Sequence, residues 1–587
     1  MRVLHFVGAV VSLVFAFDVA AQSTPAGERR RLVHRPEIKS TTQLLAEAVA
    51  RGEITSETAL VYRVFADFDD PRLPEKYRGT ERESFDSLVL AEAALSYESL
   101  SESARTTLAP FLIPPFQRGS WADESGSKSS AKVQPNIDPL QFCGPVNTSE
   151  WSSVLAESER LRIWWKNSNP GDAVVAKKLA DTGDTALARF EMLLGRDPLP
   201  DLGFIQPCRG GDDAIDVALV DVTSQAVPFF PATKDVPTFV LLERSAPDGP
   251  EVTLAHELFH VMQFTYPVNA FSVLRSYKWM MEATAQWAQD YYVAYGNGGK
   301  EHRAAPLYLA RTDESLTTED DEHEYGAYLF FQYLSRSYEN SIIKQIWHAT
   351  IAHDAVSAVD TAIPGGFKER WPEFARAAWN RDPTAKFREW DLLSDGASAA
   401  GGTLPRAGSP DTHAELNVEL PSLSTAYKHF VFSPDARSAT FLNGVTFKLT
   451  KKAQPEGEYS LDDFGTIYVL EDATEATRKG AAVWALIKRG GAWQDPEDWS
   501  GHRRVDLCLQ SGSAKIEEVV LIISNSDTAA ERVLRPEALD PVFVVSNVAC
   551  SGWEGTATFD GRWDSVRRLS AKWEVKATLI EKGYLPN

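Results

Sequence analysis

Apolar positions along the first quarter of the chain recur with helical spacing. Thr41–Ala50, stopped by Arg51-Gly52, and the stretches 56–68 and 84–108 each predict a helix. A polar run rich in Ser and Gly, 119–132, then reads as a linker. The helical period returns over Asp172–Leu194. Alternation and β-branching over 214–221, and an apolar run at 239–242, predict strands. Next, Leu254, Ala255, Leu258, Val261 and Met262 form the stripe of a helix packed on a core, bounded by Asp248-Gly249-Pro250 and Pro267. More helices are expected at 341–347, 355–362 and 371–379. The small residues from 396 to Pro410 suggest a second linker. From about 415 the period changes to two, at 428–432, 465–470, 482–487, 518–523 and 541–545, with a hairpin over 552–576. The pattern predicts an α+β chain: a helical N-terminal segment (22–135), a mixed body (141–395) and a β-sandwich-like C-terminal region (415–587).

The stripe helix carries His256-Glu257-Leu-Phe-His260. Residues four apart stand one turn above each other, so both imidazoles can reach one ion. The carboxylate between them then lies near the ion's open position. This is the pattern of a catalytic zinc site, which needs a third protein ligand. A third His shortly downstream is excluded, because Gln263 and Tyr266 occupy the relevant positions. Glu282 is the expected ligand. Twenty-one residues (261–281) separate it from His260, and it lies among Trp279, Met280, Met281, Ala283 and Trp287, a setting in which an unpaired carboxylate is costly. Glu257 is the expected general base.

On His256-Glu-x-x-His260 and Glu282-Ala-Thr-Ala285 the chain resembles the gluzincins, the thermolysin-like zinc peptidases. The wording around them is similar to bacterial secreted metalloproteases in which H-E-x-F-H-x-x-Q is followed by W-x-x-E-A-x-A-x-W. Here those elements read His256 to Gln263 and Trp279 to Trp287. The resemblance implies a two-lobed gluzincin-like domain with a cleft between the lobes, one catalytic Zn²⁺, and an exported peptidase, an endopeptidase acting on protein or peptide. It also implies an oxyanion donor from a later helix, with Tyr325 of a Tyr-Gly-Ala segment first and His323 second. Two departures stand out. No G-A-M-E-N segment precedes the motif. Gln286 holds the place of an Asp that orients a zinc ligand, with Asp290 as the alternative. Gln263 is expected to bond near the site. Competing readings are a non-catalytic binding protein of the same fold, and a surface- or carbohydrate-binding protein whose C-terminal region uses Trp484, Trp493 or Trp499.

Met1-Arg2, an apolar run to Phe17 and Ala20-Ala21 read as a signal peptide (1–21), so the expected location is periplasmic or extracellular. No other run is long enough to span a membrane. Four cysteines suit an oxidising compartment, with 143–208 and 508–550 as the expected pairings. A net charge of -22 and the lack of basic clusters argue against nucleic acid. The acidic run 318–324 lacks calcium-loop spacing, so calcium is only weakly supported there. The helical 22–135 segment is either a removable prosegment or a permanent layer. The oligomeric state is left open.

Overall fold

A computed structural model describes residues 39–79, 88–123, 145–201, 209–229, 237–268, 271–293, 300–320, 322–404, 411–414, 420–442, 445–449, 480–500, 502, 504–510, 514–529, 532–536, 543–546, 554–562 and 570–578. The expected signal peptide, most of the 119–132 linker, Cys143, Cys208, Cys550 and the expected strand at 465–470 lie outside the described residues. Both cysteine pairings therefore do too; Cys508 is half-buried.

The fold is α+β. It begins with helices α1 (Thr41–Ala50), α2 (Ser56–Asp67), α3 (Val89–Ser96) and α4 (Glu102–Leu108). Ser40 and Gln43 form a capping box on α1, and Thr55 caps α2. The single helix expected over 84–108 is interrupted at Leu100-Ser101. Ser101 gives its own N–H and hydroxyl to Glu57, both at 2.7 Å, and caps α4 through Ala104 N at 3.3 Å.

The central sheet holds β1 (Trp151–Leu155), β2 (Leu161–Lys166), β3 (Ile215–Val220), β4 (Gln225–Pro228) and β5 (Thr238–Glu243), in the order β1-β2-β3-β5-β4. The inner strands β2, β3 and β5 are parallel, and β1 and β4 are antiparallel edges. Helix α5 (Asp172–Leu194) makes the crossover from β2 to β3. It packs closely there: a Cβ on Gly183 would stand 2.2 Å from Leu161 Cδ2.

Both faces of the sheet are buried, which explains the apolar runs of β3 and β5. On one face Trp164, Val220, Val227, Phe239 and Leu241 share a core with Leu60, Val64, Phe65 and Phe111 of the N-terminal helices. On the other, Ile163, Val217, Leu219, Val240 and Leu242 pack with α5 and with helix α6 (Pro250–Gln263). The N-terminal segment is thus one layer of a three-layer structure. Its α3 lies along the edge strand β4. Leu90 N donates to Gln225 Oε1 at 3.0 Å, and Gln225 Nε2 donates to Asp67 Oδ2 at 2.8 Å.

The helical body continues through α7 (Phe271–Val293), α8 (Ala305–Leu309), α9 (His323–Gly326), α10 (Tyr328–Tyr338), α11 (Ser341–Ala349), α12 (Ala355–Ala362), α13 (Gly366–Ala378) and α14 (Lys386–Asp391). Trp287, Trp347 and Trp371 are fully buried in its core.

The C-terminal strands are β6 (Ala400–Leu404), β7 (Asp411–Ala414), β8 (Ser424–Phe432), β9 (Ser438–Leu442), β10 (Val445–Leu449), β11 (Ala481–Arg489), β12 (Ala492–Trp493), β13 (Glu497–Asp498), β14 (Arg504–Cys508), β15 (Ile516–Asn525), β16 (Arg532–Pro536), β17 (Phe543–Ser546), β18 (Glu554–Arg562) and β19 (Ser570–Thr578). A sheet ordered β12-β11-β15-β8-β6, with β13 also on β11, faces a sheet ordered β14-β9-β17-β7. Val483, Ile487, Leu521 and Phe430 meet Phe441, Leu507 and Val545 between them. β10 pairs with β16, and β18 with β19. The larger sheet also packs on the helical body. Tyr427, Leu486, Val520 and Ile522 from its other face join that core, Tyr427 OH donates to Ala375 O at 2.6 Å, and Trp371 Nε1 donates to Ser424 O at 3.1 Å. Part of the expected 396–410 linker is strand β6, which pairs in parallel with β8.

Candidate metal centre

Helix α6 starts where Gly249, at φ 90°, turns the chain out of the sheet and Pro250 opens the first turn. The helix is buried almost all round, because α5, the sheet and α7 surround it. His256, Glu257 and His260 are therefore interior, at 4 %, 1 % and 0 % exposure. Glu282 projects from α7 and is also fully buried.

The three expected ligands converge. His256 Nε2 lies 3.1 Å from His260 Nε2 and 3.3 Å from Glu282 Oε2, and His260 Nε2 lies 3.4 Å from that oxygen. An ion with bonds of about 2.0–2.1 Å at a tetrahedral centre sets its ligands about 3.3–3.4 Å apart. The donor atoms thus form one face of such a tetrahedron. This buried His-His-Glu group can hold a metal ion, and among the described residues it is the one group of its kind.

Protonation favours the same use. His260 Nδ1 lies 2.7 Å from Gln263 Oε1. The Gln263 amide nitrogen donates to Met281 O and Thr284 Oγ1, both at 3.0 Å, so its oxygen must face the imidazole. His260 then carries its proton on Nδ1 and turns an Nε2 lone pair toward the other two ligands. Burial disfavours ionised Glu282, but the facing His260 and His256 outweigh it and hold the carboxyl well below the usual range. Burial likewise opposes a charge on His260, yet Glu282 draws its pKa up; for His256 burial prevails and the pKa falls.

Glu257 stands beside this group. Its carboxyl takes a hydrogen bond from the backbone of Ala226 on β4, while Oε2 is buried without a partner. Burial pushes its pKa up to about 8; His260 opposes the rise and Glu282 adds to it. A cation at the triad would draw it down again.

The two expected oxyanion donors separate. The Tyr325 ring stacks toward His256, centroids 6.1 Å apart, and at 9 % exposure it is the least buried side chain of the group. Gly326 permits this placement, since a Cβ there would stand 2.6 Å from Ala304 O and hold α9 away from α8. His323 instead turns into the core against Tyr308, centroids 4.8 Å apart, and burial lowers its pKa to about 4. His323 is thus a packed interior residue.

Asp290 turns to other partners, and the Gln286 amide pairs with that of Gln289. Gln289 Nε2 lies 3.4 Å from His256 Nδ1. Asp290 bonds Gln332 at 3.1 Å and Arg336 at 3.2 Å. Gln289 is seven residues beyond Glu282, two turns along the same helix face, a spacing the sequence displays. The backbone N–H of Ala226 has no such signal. The described carboxylates of the acidic run 318–324 have partners close by. Asp320 pairs with Arg311 and accepts His323 N at 2.8 Å, Glu324 lies 3.5 Å from Lys278, and Glu319 accepts Trp279 N at 3.2 Å.

Replacing Gln263 by Met keeps the volume and removes the tautomer lock. The expected result is a folded protein with about 10–100-fold weaker metal affinity, read by competition with a chelating dye. Unchanged affinity would show that Gln263 only packs.

A family model described as "Family of unknown function (DUF6055)" matches residues 145–363. That stretch holds the central sheet, α5 to α12 and every residue of the centre; the N-terminal layer and the C-terminal sheets fall outside it. No curated protein matches the chain. No helix among the described residues is long and apolar enough to cross a membrane.

Proposed function

We propose that the chain is a zinc-dependent peptidase of the gluzincin type, exported from the cell and cleaving internal peptide bonds of protein substrates. The observation that carries this reading is the triangle of His256, His260 and Glu282 donor atoms with the unpartnered Glu257 oxygen beside it. Two imidazoles and one carboxylate, with a neighbouring acid left over, are the donor set of a catalytic zinc site; a structural site is closed by four protein ligands.

Zinc bound there supplies Lewis acidity toward a carbonyl oxygen and toward water. The remaining work falls to the chain. Glu257, anchored by the Ala226 N–H, accepts the proton of the attacking water and returns it to the leaving amine. The Tyr325 hydroxyl would donate a hydrogen bond to the developing oxyanion, a role supported by the stacking of its ring toward His256. Gln263 and Gln289 keep the two imidazoles oriented.

Metal analysis coupled to hydrolysis tests this. The purified chain should hold one zinc, cleave an unfolded protein, lose that activity on chelation and regain it on adding zinc. A well-folded chain that takes up no zinc would defeat the reading. Zinc without hydrolysis would favour a binding protein with a structural ion.

A further inference from the structure

A groove of about 500 Å³ runs along the seam between α13–α14 and the outer face of the larger C-terminal sheet. That volume falls within the range of small-ligand sites, about 300–1,000 Å³. The sheet supplies His429, Lys488 and Glu518. Lys488 Nζ and His429 Nε2 hold the two Glu518 oxygens at 2.7 and 2.8 Å, so both oxygens of this carboxylate are engaged. The helical body supplies Arg381 and Arg388. Arg381 spends its guanidinium on backbone carbonyls, Ala397 O at 2.7 Å and Gly396 O at 3.3 Å, and lies 4.6 Å over the Trp379 ring. Arg388 is exposed and near enough that its charge opposes that of Arg381. Asp395 reaches Arg381 only through its field, and Asp382 is exposed on the rim. Among the described residues no carboxylate makes an ion pair with either guanidinium.

Arg381 and Arg388 both line the groove, so in a chain of net charge -22 they give it a local positive face. The other lining groups show what the anion is attached to. Trp493 is a half-buried indole with Lys488 Nζ 5.9 Å from its ring. Of the three Trp named as platforms, it alone borders this groove. Trp499 is buried and donates to Glu497, and Trp484 lies under Arg376 at 3.7 Å. A flat indole beside a half-buried Lys–Glu–His network suits a ring with an apolar face and hydroxyl edges.

We propose that this groove binds a carboxylate-bearing saccharide, with Arg381 and Arg388 on the carboxylate and the Trp493 indole under the sugar ring. The site joins the C-terminal sheet to the helical body and is independent of the metal centre.

Calorimetric titration of the full chain tests it, using an oligogalacturonate, the neutral oligogalactose of equal length and an oligoglutamate peptide. Arg388→Ala and Trp493→Ala are the variants, with circular dichroism to confirm folding. The uronate should bind, each substitution should weaken it at least ten-fold, and added salt should weaken it further. No uronate binding, equal binding of the neutral sugar, or unchanged affinity in both variants would overturn the proposal. Preferential binding of the oligoglutamate would overturn it too, by making the groove a peptide site.

Discussion

Glu257→Gln will retain one metal ion and lose hydrolysis by about 10²–10⁴-fold, the range for removing a positioned general base. The amide keeps the shape of the carboxyl and leaves His256, His260 and Glu282 in place. It has no basic oxygen with which to take a proton from water. Stability should not suffer. Burial already raises this carboxyl to about 8, so an uncharged group is what the ion-free site favours. Kinetics on an unfolded protein, metal analysis and a thermal melt on both proteins check the three parts separately. Full activity in the variant would remove Glu257 from the chemistry. Loss of metal together with activity would show that Glu257 holds the centre together.

A chain beginning at residue 124 will not fold. Removing α1 to α4 would leave Trp164, Val220, Val227, Phe239 and Leu241 facing water from one side of the sheet. At about 1.5–3 kcal/mol for each large side chain, the loss is on the order of 10 kcal/mol. That matches the whole stability of an ordinary domain, about 5–15 kcal/mol. The edge strand would also lose α3, which sits on it through Leu90 and Gln225. The expected outcome is aggregated or protease-sensitive material, and a full chain nicked between 124 and 144 should still elute as one assembly. These residues support the permanent layer over the removable prosegment. A soluble, metal-loaded and active fragment 124–587 would reverse that.

Local pattern carried much of what was legible. Helical spacing and end signals placed Thr41–Ala50, Asp172–Leu194 and the 355–362 helix, because periodicity and capping are properties of neighbouring residues. The same locality located His256, Glu257 and His260, which share one helix face, and Gln263 one turn on. Glu282 followed from the cost of a carboxylate among tryptophans and methionines. Where other pairs of elements had to meet, the sequence was silent. His323 and Tyr325 lie two residues apart on a one-turn helix, and only the packing of Gly326 against α8 sends Tyr325 toward His256 and His323 toward Tyr308. Gln289 stands beside His256 with the Gln286 amide paired to it, because the crossing of α6 and α7 decides which side chain reaches an imidazole. The Ala226 N–H, the docking of the C-terminal sheet on α13 and the layer made by α1 to α4 depend on residues far apart in the chain. Their contacts form only when the apolar faces close on one another. The donor types and their spacing were properties of the sequence; which of them face one another was decided by tertiary packing.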